Sequence, residues 1–136
     1  MRIPTFADWR VTVVSMCAGL ILLMGCSNST TSPSCSGACV TIQDFSFSPA
    51  TLSVKAGTTV HWNNKGPSSH TTTSDNAVWD SGPLAGPSGG GAYGGAPGGA
   101  FQFTFNTPGT YAYHCKLHPP TIAMYAGFTG TITVTQ

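Results

Sequence analysis

Charge is what this chain has least of. Its 136 residues carry five Lys or Arg and four Asp or Glu, 7% charged in all, for a formal net charge of +1. A protein that grips nucleic acid needs a basic surface, and none can be assembled here. Strong long-range electrostatic steering of a partner is excluded on the same ground. Long apolar runs are also missing. The stretch from Val11 to Met24 is 14 residues, whereas crossing a bilayer core takes about 20. No segment repeats internally, and no 3.6-residue periodicity marks a helix.

The amino terminus has its own logic. Arg2 and Arg10 flank the short apolar run, and small and polar residues follow it. That order describes an export signal spanning residues 1–25. Leu23-Met24-Gly25-Cys26 resembles the bacterial lipobox, in which the cysteine is lipidated and becomes the first residue. Cys26 is therefore the expected lipidation site, and two or more acyl chains would make the anchoring stable. Residues 26–39 are rich in Ser and Thr and read as a flexible tether. The expected location is the bacterial cell envelope, lipid-anchored and facing the periplasm or exterior. Past the leader, Lys55, Lys65 and Lys116 balance Asp44, Asp75 and Asp80.

From Val40 the pattern alternates apolar and polar residues, as half-buried strands do. Val40-Thr41-Ile42, Phe45-Ser46-Phe47, Leu52-Ser53-Val54, Thr58 to Asn63, Phe101 to Phe105, Thr110 to Cys115 and Gly127 to Thr135 are the candidate strands. Gly and Pro turns separate them. Short strands at short spacing indicate an all-β antiparallel sandwich or barrel over residues 40–136. Residues 82–99 stand apart: nine of the 18 are Gly and three are Pro. With little apolar content to bury, they read as a mobile loop.

Five cysteines are present. Cys17 leaves with the leader and Cys26 takes lipid. Cys35 and Cys39 form an even pair in an exported chain, and a Cys-x3-Cys disulfide can close a short loop at the domain entrance. Cys115 remains. It ends a strand in which Tyr111, Tyr113 and Cys115 share a face, so its thiol points inward near the rim. A buried free cysteine can be a small hydrophobe, but an unpaired thiol is unusual in an oxidising compartment.

The neighbours of Cys115 favour a metal. His118 follows three residues later on a loop stiffened by Pro119 and Pro120. His70 lies in the polar connection Gly66-Pro67-Ser68-Ser69-His70-Thr71, where the Thr71 hydroxyl can hold the loop. Met124 is the only methionine outside the leader. One thiolate, two imidazoles and a thioether are the ligand set of a mononuclear blue-copper site, with the methionine long and axial. His61 faces away from Val60 and Trp62, and His114 away from Cys115, so both read as surface or strand residues.

Thr107-Pro108-Gly109-Thr110-Tyr111 and Tyr113-His114-Cys115-Lys116-Leu117-His118-Pro119 resemble the cupredoxin family in its plastocyanin/amicyanin-like branch, over residues 40–136. The resemblance implies an eight-stranded Greek-key β-sandwich, one type 1 copper ion and one-electron transfer. By motif position the ligands would be His70, Cys115, His118 and Met124. Five residues separate His118 from Met124, more than the four of plastocyanins and the two of amicyanins. The Gly-rich 82–99 segment is also longer than the family's usual connection.

Three functions compete. A tethered electron carrier, monomeric and meeting redox partners through small transient interfaces, fits the residues best. Without net charge, docking would rest on an apolar patch around His118, Pro119 and Pro120. An enzyme fits poorly. Multicopper oxidases need His-x-His pairs, and copper nitrite reductases need a second domain and more histidines than His61 and His114. Copper delivery or sequestration is the alternative, but such sites prefer exposed, exchangeable ligands.

Overall fold

A computed structural model of the chain describes Cys35, residues 37–88 and residues 95–136. The expected leader, Cys26 and most of the tether lie outside the described residues, as does the middle of the Gly-rich segment. Eight strands follow in order: β1 (Cys39–Gln43), β2 (Ser46–Ser48), β3 (Thr51–Lys55), β4 (Thr58–Asn64), β5 (Thr73–Ser74), β6 (Ala100–Phe105), β7 (Gly109–His114) and β8 (Thr129–Thr135). They form two four-stranded sheets, ordered β2-β1-β4-β6 and β3-β8-β7-β5. The architecture is the Greek-key β-sandwich. Both sheets are mixed, because β1 runs parallel to β4 and β3 parallel to β8. The one helical element among the described residues is a 3-10 turn, Ala123–Tyr125. No described helix is long and apolar enough to cross a membrane.

Alternation explains the core. On β4, Val60, Trp62 and Asn64 turn inward while His61 and Asn63 stay near the surface. On β8, Ile132 and Val134 are buried and Thr131 and Thr133 are less so. Val40, Ile42, Trp62, Trp79, Phe105, Tyr113 and Phe128 fill the space between the sheets. The rings interlock: Trp62 lies 5.6 Å from Trp79 and 5.8 Å from Tyr113, centroid to centroid. Such separations suit tilted and edge-to-face pairs. Burial pushes the Tyr113 phenol up to about 12. Tyr113 also crowds β8, where a Cβ at Gly130 would run into its ring. Glycine is needed there for close approach.

Two local features depart from the alternation pattern. Phe45 is not in a strand. Gln43 pairs directly with Ser46, which leaves Asp44-Phe45 as a two-residue hairpin turn with Phe45 at φ 66°. The second is β5, two residues in a buried run of Thr71 to Ser74. A polar run gives no apolar alternation, yet pairing with β7 satisfies its backbone. At the entrance, a disulfide joins Cys35 to Cys39 with Cα atoms 6.0 Å apart.

Candidate metal centre

The sandwich delivers three donors to one end. Strand β7 carries Tyr113 to the interior, and Cys115, the residue after its end, is fully buried. The chain then turns over Lys116 and Leu117, which brings His118 back beside the thiol. His70 comes from the β4–β5 connection and is also fully buried. The edges of the resulting triangle are 3.3 Å (His70 Nδ1 to His118 Nδ1), 3.6 Å (Cys115 Sγ to His118 Nδ1) and 3.9 Å (Cys115 Sγ to His70 Nδ1). An ion at its centre would lie roughly 2.1 Å from each corner, close to the length of a metal–imidazole bond. The donor set therefore fits one metal ion, with both imidazoles presenting Nδ1.

Two of the donors, His70 and Cys115, are held by hydrogen bonds from outside the triangle. The His70 backbone exchanges two hydrogen bonds with Leu84, at 3.1 and 2.7 Å. Buried Asn64 braces the loop leading to His70. Its Nδ2 donates to the Ser68 and Leu84 carbonyls, and its Oδ1 accepts from Gly66 N–H. Thr71 N–H points at Cys115 Sγ, 3.3 Å away. The Thr71 hydroxyl accepts from Lys116 N–H at 2.8 Å, which joins the two loops. At the far ring nitrogen, His70 Nε2 lies 2.8 Å from Asp44 Oδ1.

Aromatic rings wall the rim. Phe45, Tyr125 and Phe128 lie 5.1, 5.0 and 6.2 Å from the His118 ring, centroid to centroid. Burial lowers the His118 pKa; His70 nearby adds to this and Asp44 opposes it. The Asp44 carboxyl is held below its usual range, mainly by the His70 hydrogen bond, with help from Ser68 and against some desolvation.

Met124 is placed differently from the three donors. It sits on the 3-10 turn with its side chain 72% exposed, while its neighbour Tyr125 faces His118. The structure does not bring Met124 to the trio. His61 stays on β4 opposite Gln102, away from the trio. His114 reaches outward, its Nδ1 2.6 Å from Asp75 Oδ1. Sequence reasoning missed Asp44, Asn64 and Tyr125. No local spacing ties them to the cysteine, and only the fold makes them neighbours.

A buried thiolate flanked by two imidazoles, at the end of a Greek-key sandwich, defines a mononuclear metal protein of the blue-copper class. The family described as copper binding proteins, plastocyanin/azurin family, matches residues 36–135. The chain belongs to that family, whose members are cupredoxins, and its cofactor is one type 1 copper ion. A plastocyanin of Scenedesmus fuscus is 38% identical over 88 residues, which is 65% of this chain and 85% of that one. Among solved structures, an amicyanin variant in its reduced Cu(I) form is 25% identical with a TM-score of 0.55, covering 74% of this chain and 85% of the other. A copper-containing nitrite reductase from Thermus scotoductus is 22% identical with a TM-score of 0.57, and this chain spans 23% of it.

Proposed function

We propose that the protein is a membrane-tethered electron carrier, not an enzyme, that moves one electron at a time through a type 1 copper centre. The observation that carries this is the Sγ–Nδ1–Nδ1 triangle, with His70 and Cys115 buried and held by hydrogen bonds and His118 packed against aromatic rings. When bound, the copper ion supplies a one-electron couple. The protein's part is to hold one geometry for both oxidation states. Cys115 provides the buried thiolate, His70 the imidazole clamped by Leu84 and Asp44, and His118 the imidazole nearest solvent. Leu117, Ile122 and Met124 are exposed on the same 117–124 segment, and the half-exposed Phe45 packs against the His118 ring. This apolar rim would meet redox partners through a small, transient interface, the protein acting as a monomer. The other two histidines sit on different sheets, His61 on β4 and His114 on β7. A second copper site of the reductase kind would have to be built from them, and their placement argues against it.

Met124 is the proposed fourth, axial ligand, drawn over the trio by a reseating of the 121–127 turn. Its exposure favours a second reading, in which the site has three protein donors and Phe45 and Tyr125 close its rim. The two part on substitution. If Met124 binds, Met124→Leu raises the reduction potential and Met124→Gln lowers it. In a three-donor site neither moves it. Tethering rests on the leader and Cys26, which lie outside the described residues. Cys26→Ala should shift the protein from the membrane fraction to the soluble one. The role itself is tested by oxidised-minus-reduced visible absorption and EPR on the copper-loaded protein. An intense visible band with a type 1 EPR signal supports the carrier. A colourless, readily exchanging site would instead point to copper delivery or sequestration.

A further inference from the structure

The β1–β2 turn carries two side chains: Asp44 meets His70, and Phe45 packs closest to His118 and more distantly against His70. Asp44 Oδ1 lies 2.8 Å from His70 Nε2. A hydrogen there assigns the tautomer that leaves Nδ1 free to bind a metal. Asp44 is itself held: Ser68 Oγ donates to its Oδ2 at 2.9 Å and Ser68 N–H to its Oδ1 at 3.3 Å. The loop before His70 closes onto it so tightly that a Cβ at Gly66 would come within 2.5 Å of Asp44 Oδ1. Phe45 serves the other histidine. Its ring packs 5.1 Å from His118 and 4.8 Å from Tyr125. It does so from a left-handed backbone, φ 66°, one of two such non-glycine residues among those described. That conformation is strained for a residue with a Cβ and persists where the surroundings over-determine it. A turn built for economy would place Gly or Asn at this position.

We propose that the Asp44-Phe45 turn is a positioning element of the metal centre: Asp44 fixes the tautomer and direction of His70, and Phe45 seats the ring of His118. This rests on the copper reading of the site. The two imidazoles reach the centre from loops 48 positions apart, and this one rigid hairpin spans both. Its carboxylate adds negative charge on the His70 side, which favours the oxidised ion.

The test uses the full protein loaded separately with Cu(II) and with Zn(II). Variants are Asp44→Asn, Asp44→Ala, Phe45→Asn, Phe45→Tyr and Ser68→Ala, with circular dichroism and thermal melts as folding controls. Long-range 1H–15N spectra of the Zn(II) form read the His70 tautomer without reference to colour. Asp44→Ala should mix that tautomer and weaken Cu(II) binding roughly 10- to 100-fold. Asp44→Asn keeps an acceptor, so it should keep the tautomer yet shift the couple toward Cu(I) by roughly tenfold, about 59 mV for one electron. Phe45→Asn suits the left-handed backbone but loses the ring. It should speed Cu(II) release several-fold and broaden the EPR signal, and Phe45→Tyr should restore both. An unchanged tautomer and affinity in Asp44→Ala would overturn the proposal, as would equal effects from Ser68→Ala, which breaks only the loop contact. A wild-type protein with no blue band would defeat the copper reading, and the Zn(II) tautomer result would still decide the role of Asp44.

Discussion

The core and the metal end of the sandwich are both rich in aromatic rings, but they use them differently. In the core, Trp62, Phe105 and Tyr113 stand on strands, each at most 1% exposed, and pack against one another. At the metal end, Phe45, His118 and Tyr125 stand on turns and remain partly exposed. The strand-borne rings are set by alternation and sheet pairing. The turn-borne rings are set by specific local contacts such as Asp44 to His70 and Thr71 to Lys116. Stability and chemistry are therefore supplied by different parts of the chain, joined through Cys115, which belongs to both.

Substitutions can break that division. The largest effect is expected from Cys115→Ser, which should abolish the strong visible band while circular dichroism still reports a folded sandwich. Loss of the fold as well would mean that the core and the metal end are not separable. Next comes Trp62→Ala, which opens a cavity among Trp79, Phe101, Phe105 and Tyr113. It should cost about 3–5 kcal/mol in denaturant unfolding and leave the band's position unchanged in the fraction that folds. Gly130→Ala presses a methyl into the Tyr113 ring, and should cost about 1–3 kcal/mol. Because Tyr113 lies two residues before Cys115, a shifted absorption maximum in this variant would reveal coupling between core and site. The smallest effect belongs to Lys116→Ala. Its Nζ lies 2.9 Å from Asp80 Oδ2 with both side chains near half exposed. An exposed pair of this kind contributes about 0–1 kcal/mol, and high salt should mask the difference.

The same division governs how much could be read from the sequence. The strand-borne half was legible because period-two alternation is a direct consequence of pleating. Val60/Trp62 and Ile132/Val134 announce their faces. β5 was not legible, since Thr71 to Ser74 are buried polar residues whose burial depends on β7 and on Trp79, whose indole donates to Thr72. Phe45 alternates with Phe47, so it read as strand; only the pairing of Gln43 with Ser46 shows that the chain turns there. In the site, Cys115 and His118 were legible because a strand end and a Pro-stiffened loop fix them locally. Asp44 lies 26 positions from His70, and no pattern of residue types encodes that contact. Met124 is named by its chemistry alone, and no alternation pattern says which side chains of the Ala123–Tyr125 turn face the site.

The spacing of the donors bears on how the centre assembles. Cys115 and His118 are three positions apart, whereas His70 is 45 from Cys115. Going from the short span to the long one is about four doublings of loop length, at about 0.6 kcal/mol of closure entropy each. The unfolded chain can thus offer the Cys-x2-His pair as a two-point chelate before folding brings His70 to it. Third-donor capture must wait for β4 and β7 to find their sheets, so the rate at which colour develops during refolding should follow long-range sheet formation.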